Sequence, residues 1–564
     1  MSESRHAPRA ALAPGALIAV VGGGTMGSGV AQVAASAGFQ VIVQDIAPEV
    51  LNRSRRRIDD DLARRVERGR TDAALAGAVR ARLSWTETLD DLRAADVIIE
   101  AVPEDLRLKQ DLFRRLDALC AQAVILASNT SSLSISAIAA ATRRPDRVVG
   151  MHFFNPAPVM ALVEVIRGVR TSEETADATI ALARILGKTP VQVREAPGFV
   201  VNRVARPFST EAVRILAEGG APVQTIDRVM REAGGYRMGP LELIDLIGLD
   251  VNLAVSNAIY EAFFYDPRYQ PHPLQQRMVD AGLLGRKSGR GFYDYSSGAS
   301  RPTPLGGLTS DVLLPTPVVL ESGEGVAANA AWDAHGPVVV FGEPHLADDL
   351  VHTLRAAGIV ARRASAAIEA RDAVVAIDAG LVPREDRASA VAALDAHLAP
   401  DALLLVSTLT TSVTEAARHA RHPDRVVGFA TLPPLSERSL IEIQAGLRTV
   451  RDAAVRAAGF WRRAGKAVAH TADGVAGVFP RIQAMLCHEA IVALAAGIAS
   501  AEEIDTAMRL GVNYPQGPIE RAERVGLGVI LAVVQALQVE HGDPRYRPVP
   551  LLRRWVAAGG RQHA

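Results

Sequence analysis

Apolar and polar positions alternate along this chain in two textures, and the pair of textures occurs twice. Leu17-Ile18-Ala19-Val20-Val21 is an unbroken apolar run, the pattern of a strand buried on both faces. Gly22 to Gly27 interrupts it, and the alanine-rich stretch Ser28 to Ala37 predicts a helix stopped by Gly38. Val41 to Asp45 predicts the next strand; Asp96 to Val102, Ala123 to Ala127 and Val148 to Phe153 predict three more. Short buried strands alternating with helical segments predict a doubly wound, Rossmann-type parallel α/β sheet over residues 16–196. Beyond Pro197 the period becomes helical. Asn202–Gly219, Val223–Glu232, Leu241–Ile247 and Val251–Phe264 predict an all-α domain over 197–296.

The remainder repeats this plan. Arg144-Pro145-Asp146-Arg147-Val148-Val149-Gly150 returns as His422-Pro423-Asp424-Arg425-Val426-Val427-Gly428, 278 residues on. The same step carries Glu164 onto Glu442, Glu211-Ala212 onto Glu489-Ala490 and Gly239-Pro240 onto Gly517-Pro518. With one residue less, Asp266-Pro267-Arg268-Tyr269 maps onto Asp543-Pro544-Arg545-Tyr546. A constant offset across so many residues predicts a tandem duplication: a linker over 297–334, a second Rossmann-like domain over 335–472 and a second all-α domain over 473–564.

Composition narrows the function classes. In 564 residues, 49% hydrophobic and 22% charged side chains describe several soluble domains with large cores. Lys+Arg and Asp+Glu are 62 each, so the net charge is zero and no nucleic-acid partner is expected. Two isolated cysteines, Cys120 and Cys487, supply neither a disulfide framework nor a zinc cluster, which fits a reducing cytoplasm without a bound metal. No apolar run nears the roughly 20 residues that span a bilayer, and Met1–Gly15 lacks the apolar core of a signal peptide, so no membrane partner is expected. Lysine occurs only at Lys109, Lys188, Lys287 and Lys466. Arginine clusters therefore carry little weight here as anion sites.

The first candidate chemistry is Gly22-x-Gly24-x-x-Gly27, between a predicted strand and a predicted helix. The first glycine permits a tight turn, the second lets a pyrophosphate approach the backbone, and the third lets helix and sheet pack closely. Thr25 and Met26 complete the turn, and the helix N-terminus favours phosphate. Asp45, 21 residues past Gly24, is placed to bind ribose hydroxyls and to repel a 2′-phosphate, which predicts NAD over NADP. His152 ends an apolar run at the crevice edge of the sheet, and Glu164 follows twelve residues later. A carboxylate on one ring nitrogen would fix the tautomer and leave the other for proton transfer. Taken by itself, a lone histidine is more often a satisfied structural residue than a catalyst, and spacing alone does not overturn that.

Several blocks together carry a resemblance. Gly22–Gly27, Ser128-Asn129-Thr130-Ser131-Ser132, His152-Phe153-Phe154-Asn155-Pro156, Pro197-Gly198-Phe199-Val200-Val201-Asn202-Arg203, Gly239-Pro240 and Gly285–Tyr293 resemble the signature blocks of 3-hydroxyacyl-CoA dehydrogenases. The resemblance covers residues 16–295 without a break. It implies NAD-dependent oxidation of a (3S)-3-hydroxyacyl-CoA, with His152 as general base and Glu164 as its partner. Ser131 and Asn202 would hold the 3-oxygen and thioester region; Glu104, Lys109, Ser131 and Asn155 would line the nicotinamide side, and Lys287 would reach the cofactor. Arg68 and Lys109 would meet CoA, although the Arg53–Arg68 stretch is equally well a solvated helix. The tandem plan is similar to the duplicated bacterial branch of the family, tied to 3-hydroxyadipyl-CoA and phenylacetate catabolism; 3-hydroxybutyryl-CoA is the other chain length implied. Two alternatives remain: a relative acting on a non-CoA hydroxy acid, and an NAD-binding scaffold, against which the intact His152/Glu164 pair argues.

The second copy has lost these parts. Gly342-Glu343-Pro344-His345-Leu346-Ala347 lacks the second and third glycines, Ala430 stands for His152, Pro433 for Asn155 and Pro480 for Asn202, while Glu442 remains. It is expected neither to bind NAD nor to catalyse. Its expected use is to pair its helical domain with the first as an intramolecular pseudo-dimer, since single-copy relatives bury that surface by dimerising; further association of two chains stays open.

Overall fold

A computed structural model describes residues 15–296, 303–305, 336–382 and 384–560. The N-terminal tail and most of the expected 297–334 linker lie outside the described residues. The chain forms two compact units that do not follow the duplication. The first holds residues up to Arg203 together with Ala496–Asn513; the second holds Val204–Ala495 and the chain from Tyr514.

The first unit is built on an eight-stranded sheet of order β3-β2-β1-β4-β5-β6-β7-β8. Its strands are β1 (Leu17–Val21), β2 (Gln40–Gln44), β3 (Leu83–Thr86), β4 (Val97–Glu100), β5 (Ile125–Ser128), β6 (Val148–Phe153), β7 (Leu162–Arg167) and β8 (Thr189–Arg194). The first six are mutually parallel. To this parallel sheet β7 adds an antiparallel partner of β6, a strand absent from the sequence expectation, and β8 pairs parallel to β7. Residues 154–161 are too few for the crossover that a parallel neighbour requires. The turn back sets His152 directly opposite Glu164 in register. Helices Thr25–Ser36, Pro48–Glu67 and Glu173–Ile185 follow their strands, and Ile18, Val20, Val43, Ile99, Val149 and Leu182 share one core.

Strand β8 is a sheet edge, and a sheet edge left bare exposes unpaired backbone groups. Here it is covered by residues of the second copy. Gln192 donates its backbone N–H to the Glu503 carboxylate at 2.9 Å, and Arg194 donates to the Ile498 carbonyl at 2.7 Å. Glu503 also closes a capping box with Ser500 at the head of helix Ala501–Gly511.

In the second unit, β9 (Tyr293–Asp294) and β10 (Thr303–Pro304) form a short ribbon. A seven-stranded sheet of order β12-β11-β13-β14-β15-β16-β17 follows the first in plan. It comprises β11 (Val338–Gly342), β12 (Ala361–Arg363), β13 (Val375–Ala379), β14 (Leu403–Ser407), β15 (Val426–Ala430), β16 (Leu440–Ala445) and β17 (Ala467–Thr471). Past its edge strand β17, Ala472 donates to the Gly220 carbonyl at 2.8 Å. Gly220 and Ile498 are 278 residues apart, as are Arg194 and Ala472. Each copy thus covers the sheet edge of the other with the same contact.

Helix Arg206–Ala217 of the first copy packs against helix Phe479–Ala495 of the second within this unit. Tyr546 donates to Glu211 at 2.8 Å, and Tyr269 donates to Glu489 at 2.8 Å. These four residues form two equivalent pairs with the partners exchanged. Arg481 adds a buried ion pair to Glu211 at 2.8 Å. Among the described residues no single helix is long and apolar enough to cross a membrane.

Candidate active site

The glycine turn has the geometry its sequence demands. Gly22 lies at φ 103°, and a Cβ there would come 2.6 Å from the Ala101 carbonyl oxygen. A Cβ at Gly27 would come 1.8 Å from the Gly22 oxygen, so helix Thr25–Ser36 reaches β1 only with a bare Cα there. Gly24 faces open space and is the helix N-cap, with no side chain capping the first turn. The helix therefore begins three residues before the expected Ser28. Thr25 is exposed and Met26 half-buried beside it. Asp45 is pinned at the end of β2: its carboxylate accepts from Gly23 N at 2.8 Å and from Ala47 N at 3.1 Å. An uncapped helix start beside a fixed carboxylate fits the pyrophosphate and ribose of a dinucleotide.

On the far side of the crevice, Glu104 organises the loop after β5. Its Oε1 accepts from the Thr130 hydroxyl at 2.6 Å, from the backbone N–H groups of Ser131 at 2.9 Å and Ser132 at 3.1 Å, and from both serine hydroxyls. Burial works to raise the Glu104 carboxyl, but the Thr130 hydrogen bond, Lys109 and the serine donors together hold it below the ordinary carboxylate range. Lys109, expected to meet the cofactor or CoA directly, is instead enclosed at 1% exposure. Its ammonium lies 2.6 Å from Glu100 and 3.3 Å from Glu104. Lys109 thereby steadies Glu104, which steadies Ser131.

His152 and Glu164 form the buried centre. His152 Nδ1 stands 2.7 Å from Glu164 Oε2, and Glu164 is fully buried. The other carboxylate oxygen accepts the backbone N–H groups of Val200 and Val201, each at 3.0 Å. Val201 opens the short helix Val201–Val204, so the carboxylate caps a helix start while holding the imidazole. The His152 ring is flanked by Phe154 at 4.5 Å and Phe199 at 5.9 Å between centroids. Phe153 N bonds to the Asn129 side chain at 2.8 Å, tying the histidine strand to the serine loop. Asn202, half-buried, is the next residue after Val201, and Asn155 is exposed just past β6.

Arg68 is the exposed C-cap of helix Pro48–Glu67. Of its basic neighbours, Arg55 lies over the Trp85 ring, Arg57 bonds to Ser28, and Arg65 pairs with Asp61. Lys287 belongs to the second unit, where it forms an ion pair with Asp250 at 2.5 Å.

The equivalent positions of the second copy are closed. The Glu343 carboxylate accepts from Leu346 N at 2.8 Å, capping with its own charge the helix start that the first copy leaves open. Two buried apolar residues, Ala430 and Leu409, take the places of His152 and Ser131. Leu409 was legible from the constant offset but was missed by the sequence reading. Arg387 and Asp378 repeat the buried Lys109–Glu100 pair at 2.7 Å, which marks that pair as part of the fold. Glu442 keeps its two backbone donors, Val478 at 2.7 Å and Phe479 at 2.8 Å.

Comparison with known proteins agrees with this geometry. The description of the 3-hydroxyacyl-CoA dehydrogenase NAD binding domain matches residues 17–196 and again 356–474, the second match beginning beyond the altered glycine turn. The C-terminal domain of the same family matches 198–295 and 478–564. The 3-hydroxyadipyl-CoA dehydrogenase of Escherichia coli K12 is 36% identical over 95% of this chain and 96% of its own. A probable 3-hydroxybutyryl-CoA dehydrogenase of Bacillus subtilis is 48% identical over 50% of this chain and 98% of its own. The crystal structure of 3-hydroxybutyryl-CoA dehydrogenase from Escherichia coli K12 has a TM-score of 0.78 at 35% identity, covering 97% of this chain and 99% of that one. The chain belongs to the 3-hydroxyacyl-CoA dehydrogenase family and catalyses NAD-dependent oxidation of 3-hydroxyacyl-CoA.

Proposed function

We propose that the reaction runs on the first copy, with His152 as the general base, and that its substrate is a 3-hydroxyacyl-CoA ending in a second carboxylate. The observation that carries the first part is the His152–Glu164 pair, locked by Val200 and Val201. Glu164 holds Nδ1, which leaves Nε2 to take the proton of the 3-hydroxyl. The imidazolium so formed is stabilised by the buried carboxylate 2.7 Å away, and in reduction it returns the proton to the forming alcohol. When bound, NAD supplies the hydride acceptor. Gly22, Gly24, Thr25, Met26, Gly27 and Asp45 would hold it at the turn, and Glu104 and Asn155 would border its nicotinamide side. Ser131 and Asn202 would hold the 3-oxygen and thioester, Lys287 would approach the cofactor and Arg68 a CoA phosphate.

The dicarboxylyl preference draws on the relative named for 3-hydroxyadipyl-CoA; the solved structure that also covers both copies is named for 3-hydroxybutyryl-CoA, so the chain-length series decides between the two. The second copy, with Glu343 in its own helix start, binds no NAD and performs no catalysis. Its role is to stand in for a partner subunit, as the exchanged pairs Tyr546–Glu211 and Tyr269–Glu489 support, and the protein works in the cytoplasm. Steady-state kinetics across a chain-length series, with an ω-carboxylated ester and the free hydroxy acids alongside, tests this reading. Turnover of free hydroxy acids in preference to CoA esters would overturn it.

A further inference from the structure

In the first unit, the loop over residues 195–201 joins three parts of the active centre. Glu195 accepts the Ser136 backbone N–H at 3.2 Å and the Ser136 hydroxyl, which ties the loop to helix Ile135–Ala139 beyond the serine segment. The Phe199 ring lies 5.9 Å from that of His152, and Val200 and Val201 each donate to Glu164 at 3.0 Å. Phe199 stands at φ 50°, a left-handed conformation that a residue other than glycine keeps only where its surroundings impose it.

Both ends of this loop are gripped by one segment of the second copy, Ala496–Asn513, which belongs to the same unit. At the entry, Arg194 donates its backbone N–H to the Ile498 carbonyl at 2.7 Å and its guanidinium to the Ala496 carbonyl. Two residues earlier, Gln192 donates its N–H to Glu503 Oε1 at 2.9 Å, while Glu503 Oε2 accepts from Ser500 N at 2.9 Å. At the exit, Gly511 lies against Val201. Of the three entry contacts, the second copy repeats only the backbone one, from Ala472 to Gly220. Ala472 stands where Arg194 would, and Thr225 where Glu503 would. A side chain does reach β17, Arg228 at the Val468 carbonyl, but four residues before Ala472 and so away from the loop. The Glu503 and Arg194 side-chain contacts therefore belong to the copy that keeps His152.

We infer, resting on the reading of His152 as general base, that Glu503 is a positioning residue for the His152–Glu164 pair. The copy without catalytic residues thus sets the turnover of the copy that has them. A carboxylate that accepts a backbone N–H makes a charge-assisted hydrogen bond, and here it fastens the last strand of the sheet, β8. That strand pairs Val191 with Glu164, then runs into the loop whose N–H groups hold the same Glu164 carboxylate. Without Glu503 the strand end and the loop shift, Glu164 loses its aim, and the imidazole leaves the geometry that proton transfer requires.

The test measures kcat and KM of the full chain for (3S)-3-hydroxybutyryl-CoA with NAD. Glu503→Ala is expected to lower kcat about three- to tenfold with both KM values unchanged. Glu503→Gln, whose amide oxygen still accepts from Gln192, should recover most of that loss. A double-mutant cycle reads the route: with Glu164→Gln already present, Glu503→Ala should cost less than about twofold more, because the charged partner it positions is gone. Thermal melts accompany each variant. Should Glu503→Ala or Glu164→Gln not fold, Arg194→Met, which removes the guanidinium contact to Ala496, should lower kcat about two- to threefold at unchanged KM. Losses that multiply in the double variant, a fall confined to KM, or wild-type kcat in folded Glu503→Ala or Arg194→Met would overturn the inference. Undiminished turnover in Glu164→Gln alone would instead strike at the His152 reading beneath it.

Discussion

Gly511, from the second copy, packs against Val201 in the first unit so closely that a Cβ at Gly511 would stand 3.0 Å from Val201 Cγ2. The same added atom would lie 2.8 Å from Leu162 Cδ2, two residues before Glu164 on β7. Val201 donates its N–H to Glu164, so this contact braces the carboxylate that orients His152. Gly511→Val is expected to lower kcat about three- to tenfold with KM for NADH unchanged, and to cost about 1–3 kcal/mol through overpacking. Ala233, the buried equivalent in the first copy, provides the control. Ala233→Val should cost similar stability and leave kcat alone; equal kcat losses in the two variants would refute the bracing role.

His152→Ala should retain NADH binding, read by fluorescence titration, and lose about 10²–10⁴ in kcat. Glu164→Gln should lose less, because the imidazole stays in place beside a neutral partner. Near-wild-type turnover in the histidine variant would reject the base assignment.

Much of this centre was legible in the residues themselves. Gly22 and Gly27 each have a distinct steric reason to be glycine, and such reasons survive in one sequence without comparison, whereas Gly24 faces open space. The helix start moved by three residues because Gly24 itself serves as N-cap. The turn of β7 against β6 was not foreseen, because an apolar run carries no direction; only the short segment 154–161 forbids the parallel alternative. Lys109 misled for a related reason: the sequence shows a cation near the loop, and only packing shows that Glu100 and Glu104 enclose it. The edge contacts between copies depend on residues about 300 apart, beyond any local pattern.

Asp45 receives backbone N–H groups from Gly23 and Ala47, which fixes its charge beside the open helix start. Asp45→Ala should weaken NAD binding and reduce the NAD/NADP selectivity ratio by about tenfold or more, as measured by kcat/KM for each cofactor. An unchanged ratio would remove the ribose contact from the account.

Glu343 places a carboxylate on the N–H of Leu346, where the first copy leaves donors open. Calorimetric titration of the full chain with NADH should therefore give one site per chain, and a second site of comparable affinity would show the second fold to be functional. Glu343→Gly should leave the stoichiometry at one, since Pro344 still occupies the first turn and Ala347 still stands for the third glycine.

Glu442 carries the record of the lost histidine and makes a prediction about pH. Burial pushes its carboxyl up to about 7 from an ordinary 4.5, even though Val478 and Phe479 donate to it. Between those values the folded chain binds this proton more tightly than the unfolded chain, so stability falls as pH rises through the interval. The favourable contribution is complete below pH 4.5 and gone above 7; its upper bound is roughly 3 kcal/mol, at 1.36 kcal/mol per unit. Glu442→Gln abolishes the titration but turns one acceptor into an amide donor facing a backbone N–H, which costs stability at every pH. Melting curves for both proteins from pH 5 to 8 should show wild type losing its advantage as pH increases, with the difference levelling off above 7. A difference independent of pH would mean that Glu442 is already ionised throughout, held as a helix cap by the same two N–H groups that anchor Glu164 in the working copy.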